Sequence, residues 1–215
     1  MLPQWLNEAQ ARIRAIRPDR QTIPFYAESW VSQFPHDPEV ADLLSRHNAG
    51  ITRLDVFGLS RSAAVTGAPD DLRRMFLGVM LWGFGTVGYG AHRTRLMLSS
   101  PGCLDTLARA FDLLGRDDVA AAYRTIRSAG ISMCGTSFAT KLLYFAGKGC
   151  GMTRYPLILD NRVHEALSKQ LEPGAYSSLS RDSAASYCRY VTQMHEWAAA
   201  IGCEAHNIEF YLFSS

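Results

Sequence analysis

No stretch of this 215-residue chain reaches the ~18 uninterrupted apolar residues that a membrane-spanning helix needs. The most apolar, Met75 to Tyr89, is cut by Gly78, Gly83, Gly85 and Gly88, so a bilayer span is not expected. The five cysteines are odd in number and scattered, with no Cys-x-x-Cys pair and no nearby His-x-x-x-His, which excludes a disulfide scaffold and a zinc site. No metal and no cofactor is expected. No tract is dominated by Ser, Gly or Pro and no internal repeat is visible, which excludes long disorder, fibres and solenoids. The opening Met-Leu-Pro-Gln-Trp soon carries Glu8 and Arg12 and lacks a continuous apolar signal core, so a cytoplasmic protein is expected. The Gly-rich stretch Gly83 to Gly90 contains no Gly-Lys-Ser/Thr and no strand precedes it. We therefore expect its glycines to serve positive-φ turns between two helices rather than to cradle a phosphate.

What is present is an ordinary apolar share, 47% of residues, on a length that suits one core and is short for two. One unit over residues 1–215 is expected, with a helical arm at 1–68 and the main helical body at 69–215. The net charge is only +2, but residues 86–169 hold 11 basic against 6 acidic side chains. Within 121–164, Arg124, Arg127, Lys141, Lys148, Arg154 and Arg162 face a single acid, Asp160, an imbalance that favours a polyanionic partner.

Helical spacing dominates the pattern. Leu6, Ala9, Ile13 and Ile16 mark a helix that Pro18 ends, and residues 18–37, rich in proline and aromatics, read as a non-repetitive arm. Asp37-Pro38 opens a helix that stops near Gly50. Pro69 with Asp70 and Asp71 opens another, running to Trp82-Gly83. Leu104 to Leu114 give one amphipathic stripe that ends at Gly115, and a second helix is expected from Asp117 to about Ser128, carrying Val119, Ala122, Tyr123 and Ile126 and ending at Ala129-Gly130. A hairpin-like break over Gly130 to Thr136 leads to a short helix from Ser137 to Phe145 with Gly147 as its stop. Asp160 caps the next helix, and Ser180 starts the last long amphipath, broken at Gly202. Strands are nearly absent, so the fold class is all-α with roughly eight to ten helices.

Of the 22 basic residues, 19 are Arg and only Lys141, Lys148 and Lys169 are Lys. A helix lysine is ordinarily a solvated charge. Lys141, however, stands near the start of a short helix among apolar residues in a positive field, where an amine can be held neutral and nucleophilic, as arginine cannot. Asp160 is explained by capping alone. Its place, 160 − 141 = 19 residues further on, also allows a loop that doubles back and brings carboxylate and amine to one cleft.

The stretches Gly135-Thr-Ser-Phe-Ala-Thr-Lys-Leu-Leu-Tyr-Phe145, Pro156-Leu-Ile-Leu-Asp-Asn-Arg-Val163 and Ile208-Glu-Phe-Tyr-Leu-Phe213 resemble the helix-hairpin-helix DNA glycosylase superfamily. Within it they resemble the bacterial 8-oxoguanine glycosylase branch, which includes phage-defence members that remove bulky modified cytosines. The resemblance is clearest over residues 75–213. The usual Leu-Pro-Gly-Val-Gly hairpin is replaced by Ser132-Met-Cys-Gly-Thr-Ser137, and the four-cysteine iron–sulfur signature of some relatives is missing.

The resemblance implies a helix-hairpin-helix fold that grips double-stranded DNA as a monomer, flips out a damaged or modified base and excises it. Lys141 would attack the anomeric carbon and Asp160 would stabilise the charge developing on the sugar. Gly135, Thr136 and Ser137 would bind phosphate at a helix N-terminus, with Arg93, Arg95, Lys148 and Arg162 nearby. Trp30, Trp82, Tyr89, His92 and Trp197, with Phe34, are candidates for the base pocket; His164 is a candidate for the cleft and His195 for the core edge. Two other readings compete: a hairpin module that grips DNA without catalysis, and a Schiff-base enzyme acting on a small carbonyl compound.

Overall fold

The computed structural model describes residues 2–170 and 183–215. Among them are twelve α-helices: α1 Gln4–Ala15, α2 Ala27–Gln33, α3 Pro38–Arg46, α4 Arg53–Thr66, α5 Pro69–Phe84, α6 Gly90–Leu98, α7 Cys103–Leu114, α8 Val119–Ser128, α9 Thr136–Gly149, α10 Asn161–Gln170, α11 Ala184–Ile201 and α12 Ala205–Phe213. A single 3₁₀ turn at Pro18–Arg20 and one isolated β-bridge, Ile23 to Ile51, complete the regular structure. The architecture is all-α. Among the described residues no helix is long and apolar enough to cross a membrane.

Several helices begin where the chemistry of their caps dictates. The Asp37 carboxylate accepts from the Glu39 and Val40 amides ahead of Pro38, and the Asp118 side chain accepts from the Ala121 amide at 2.8 Å. The long amphipath starts at α11, capped by Ser183; the expected start at Ser180 lies outside the described residues.

Two helices lie where none is expected. The first, α2, sits inside the supposed non-repetitive arm and buries Trp30. The second, α4, opens with a reciprocal capping box between Thr52 and Asp55 and closes on Gly67 in the left-handed region. The glycine-rich stretch does join two helices, α5 and α6, but within it only Gly85 takes a positive φ, 53°. Gly83 lies inside α5 and Gly90 begins α6 against Phe84, so these two serve close packing rather than turning.

The centre of the molecule is α9. It is buried on all sides from Ala139 to Gly147 and packs against α4, α5, α7 and α8, as expected of a helix apolar around its circumference. Gly147 does not stop it. A Cβ there would come within 2.4 Å of Pro156 Cδ, so this glycine seats the returning chain and the helix continues to Gly149.

That returning segment, Pro156 to Asp160, has no regular secondary structure, and side chains take up part of its polar backbone. The Leu159 amide donates to Thr140 Oγ1 at 3.0 Å. Tyr187 and Tyr190 of α11 donate their hydroxyls to the Leu157 and Ile158 carbonyls, each at 2.7 Å. With Leu157, Ile158 and Leu159 buried, Asp160 is delivered to a fixed place beside α9.

Candidate active site

Lys141 is buried on α9, with 7% of its surface exposed. Its Nζ donates to Ser137 Oγ, one turn earlier, at 2.8 Å, and stands 3.8 Å from Asp160 Oδ2, an ion pair rather than a hydrogen bond. Asp160 divides its work between two oxygens: Oδ1 accepts the Val163 amide at 3.0 Å as a helix cap, and Oδ2 faces the amine. Capping and approach to the lysine are therefore joined in one residue. Burial pushes the Lys141 amine below the ordinary lysine value; the carboxylates of Asp160 and Glu209 oppose this, while the Arg53 guanidinium adds to it.

The lysine stem fits because of Gly83. A Cβ on that residue would meet Phe138 Cε1 at 3.0 Å and Lys141 Cδ at 3.2 Å, so α5 presents bare backbone to the lysine. Beside the stem opens a cavity of about 470 Å³, of a size that receives small organic ligands. Its walls include Lys141, Asp160, Arg53, Trp82, Glu209 and Phe213.

Two of these lining groups were not among the residues singled out from the sequence. Arg53, on the first turn of α4, and Glu209, on α12, are 2% and 1% exposed and form a two-point ion pair at 2.8 and 3.4 Å. The Arg53 guanidinium also donates to Tyr144 Oη at 3.1 Å and lies 5.0 Å from the centre of the Trp82 ring. The Tyr144 hydroxyl is 2.9 Å from His206 Nδ1, and desolvation holds that imidazole down at a pKa of about 3, hence neutral. A signal for Glu209 existed in the sequence: it is the lone charge in the apolar run Ile208 to Phe213. Arg53 offered none among 19 arginines.

The other expected residues separate. Trp82 and Arg162 line the cavity, and Arg162 lies 5.0 Å over the Phe213 ring. Trp30 is buried against Phe34, and Trp197 is buried edge-on to Trp5; neither borders the cavity, because α2 and α11 turn those rings into the core. Tyr89 is 55% exposed under the Arg93 guanidinium, just beyond the cavity-lining Thr86 and Val87. His92 and Arg95 both reach Gln33 Oε1, at 3.2 and 3.3 Å. His164, on α10, does not border the cavity, and His195 Nε2 bonds the Tyr155 carbonyl at 2.8 Å. Gly135 caps α9, and the hydroxyl of Ser137 already accepts the lysine. Lys148 pairs with Glu204 at 2.8 Å, away from the cavity. A larger cavity, about 720 Å³, lies against Cys150, Cys188 and His195 but contains neither Lys141 nor Asp160. Burial raises the Cys150 and Cys188 thiols, which disfavours their thiolate forms.

Over residues 16–213 the chain matches the family model described as "Putative 8-oxoguanine DNA glycosylase OGG-like protein". The chain belongs to this OGG-like family. The match begins well before the 75–213 region that carried the sequence resemblance, and so takes in α4 and Arg53 as well as Lys141, Asp160 and Glu209. No curated protein and no solved structure matches the chain. Membership of the OGG-like family supports DNA glycosylase activity and DNA as the substrate.

Proposed function

We propose that the protein is a DNA glycosylase in which Lys141 is the nucleophile and Asp160 its electrostatic partner. The observation that carries this reading is the pairing of a buried amine with a carboxylate at 3.8 Å on the wall of a base-sized cavity, in a chain of the OGG-like family. Duplex DNA docks through its phosphates, and Arg162, exposed at the cavity, is the best placed of the expected phosphate contacts; Gly135 to Ser137, Arg93, Arg95 and Lys148 supply others. The target nucleotide leaves the stack, at a cost of a few kcal/mol, because its glycosidic bond is out of reach inside a duplex.

Neutral Lys141 attacks C1′ of the extruded nucleotide. A bond forms from Nζ to C1′ while the bond from C1′ to the base breaks, and its electron pair leaves with the base. Asp160 stabilises the positive charge that develops on the sugar and takes the proton that Nζ loses. Opening of the sugar ring then gives a Schiff base from which the strand can be cleaved. The base is 8-oxoguanine or a bulky modified cytosine such as glucosylated hydroxymethylcytosine of phage DNA, and the role is accordingly repair or antiviral defence.

The test is mass spectrometry of the bases released from 8-oxoguanine DNA, uracil DNA and phage DNA carrying glucosylated hydroxymethylcytosine. Release of one base by the wild type, abolished in Asp160→Asn while DNA binding persists, is expected. Undiminished release by Asp160→Asn would remove the aspartate from the mechanism. Release without strand cleavage would replace lysine attack by attack of water.

A further inference from the structure

Burial favours a neutral Lys141, but a neutral amine attacks only along its lone pair, and something must aim that lone pair. A long side chain on a helix points back toward the helix N-terminus, over the residue four positions earlier. For Lys141 that residue is Ser137. Its Oγ lies 2.8 Å from Nζ, a hydrogen bond, whereas Asp160 Oδ2 at 3.8 Å is beyond one. The hydroxyl therefore holds the amine more closely than the carboxylate does. Two further contacts settle the stem: the Phe138 ring lies 5.2 Å from Nζ, and Gly83 sets no side chain against Cδ and Cε. Lys141 and Asp160 both line the cavity and keep 9% and 13% of their side-chain surface exposed, while Ser137 does not line it. The serine thus touches the amine from outside the cavity wall.

We propose that Ser137 is a positioning residue for the nucleophile: its hydroxyl accepts one N–H of neutral Lys141 while Asp160 faces the other, which turns the lone pair toward the sugar. This rests on the glycosylase reading and adds to that site a residue that never touches the substrate. A neutral amine nitrogen has four directions, taken by Cε, two hydrogens and the lone pair. With one hydrogen on Ser137 Oγ and the other toward Asp160 Oδ2, a single direction remains for attack on C1′. The same arrangement decides which proton leaves. As Nζ bonds C1′ and the base departs with the electron pair of its own bond, the nitrogen becomes cationic. A carboxylate can take a proton from it and an aliphatic hydroxyl cannot, so the hydrogen facing Asp160 is transferred and the one on Ser137 stays. Without the hydroxyl, Nζ turns about the Cε–Nζ bond and the lone pair meets C1′ less often. The Ser137 amide, in the first turn of α9, has no helical carbonyl to bond and can still meet a phosphate. The hydroxyl is the part that serves the amine.

Single-turnover base release at rising DNA concentration tests this, on whichever of 8-oxoguanine DNA and phage DNA carrying glucosylated hydroxymethylcytosine the wild type accepts. In Ser137→Ala the rate at saturating DNA should fall by about 10- to 100-fold, because the amine keeps its place and loses its aim. Saturation removes binding from the rate, so this loss is read apart from any change in DNA affinity. Borohydride trapping of Lys141 on abasic-site DNA, which needs the same lone pair, should slow alongside. Ser137→Thr, which keeps the hydroxyl, should return the saturated rate to within about fivefold of wild type, a rescue that a packing role for the side chain would not give. Alanine is a good helix former, so folding should persist in the first turn of α9. Should circular dichroism show otherwise, Ser137→Cys, whose sulfur is a weak acceptor, decides in its place. A full rate at saturation with weaker DNA binding would give the hydroxyl to a phosphate and overturn the positioning role. An unchanged rate and affinity, or equal losses in the Ala and Thr variants, would overturn it too; in each case the glycosylase reading stands. A wild type that releases no base and forms no adduct strikes the glycosylase reading itself, and this inference with it.

Discussion

Truncating Glu209 to alanine would leave the Arg53 guanidinium, 2% exposed, without its counter-ion in the middle of the molecule. The pairs it retains, Tyr144 Oη at 3.1 Å and the Trp82 face at 5.0 Å, are a neutral hydroxyl and a ring, and neither balances a charge. Breaking a buried ion pair from one side costs about 3–5 kcal/mol. In a chain of this length each kcal/mol moves the melting temperature by about 2–4 °C, so the fall should be roughly 6–20 °C. Replacing both partners, as Arg53→Met with Glu209→Met, removes the orphaned charge as well as the pair. The double variant should recover most of the loss, ending within about 2 kcal/mol of wild type, because its side chains fill similar volume without desolvated charge. Tyr144 keeps its contact to His206 at 2.9 Å in either case. Urea unfolding followed by circular dichroism, with the two single variants completing the cycle, measures the coupling. A loss under about 1 kcal/mol in Glu209→Ala would refute the reasoning, since it would place the pair in the range of exposed salt bridges.

Two further outcomes follow from the lysine's surroundings. Gly83→Ala sets a methyl 3.2 Å from Lys141 Cδ and 3.0 Å from the Phe138 ring, so the amine must shift; base release should slow by about 10- to 100-fold with a much smaller change in melting temperature, and an unaltered rate would free the stem from this constraint. Because burial holds the Lys141 amine below its usual 10.5, the neutral nucleophile accumulates at lower pH than in a solvated lysine. The single-turnover rate should therefore rise with pH with its midpoint below 10.5, whereas a midpoint at or above that value would contradict a desolvated amine.

How much of this was legible beforehand depended on whether a signal was local. The helices α3, α5, α7 and α8 announce themselves through the cap at Asp37, through Pro69 in the first turn of α5 and through regular apolar spacing. The helix α4 does not. Its buried face includes Arg53 and Ser60 among Val56 and Ala63, so apolar periodicity is weak, and the capping pair Thr52 and Asp55 was the one clear mark. The glycine-rich stretch misled in a similar way, because Gly83 and Gly90 answer to neighbours, Lys141 and Phe84, that only the tertiary fold supplies.

The site divides along the same line. Lys141 stood out because lysine is scarce, and Asp160 because a helix cap has a sequence signature. Arg53 and Glu209 are 156 residues apart and meet only when α4 and α12 close on α9. Aromatic residues could be named as pocket candidates but not sorted: Trp82 borders the cavity, while Trp30 and Trp197 fill core, a difference set by which way each helix face turns.

Borohydride reduction of the protein mixed with abasic-site DNA, followed by peptide mapping, examines the proposed nucleophile most directly. A covalent adduct on Lys141, absent from Lys141→Gln and weakened in Asp160→Asn, is the expected result. An adduct carried by Lys148 or Lys169, or one that persists undiminished in Lys141→Gln, would contradict the assignment of this buried amine to the sugar carbon.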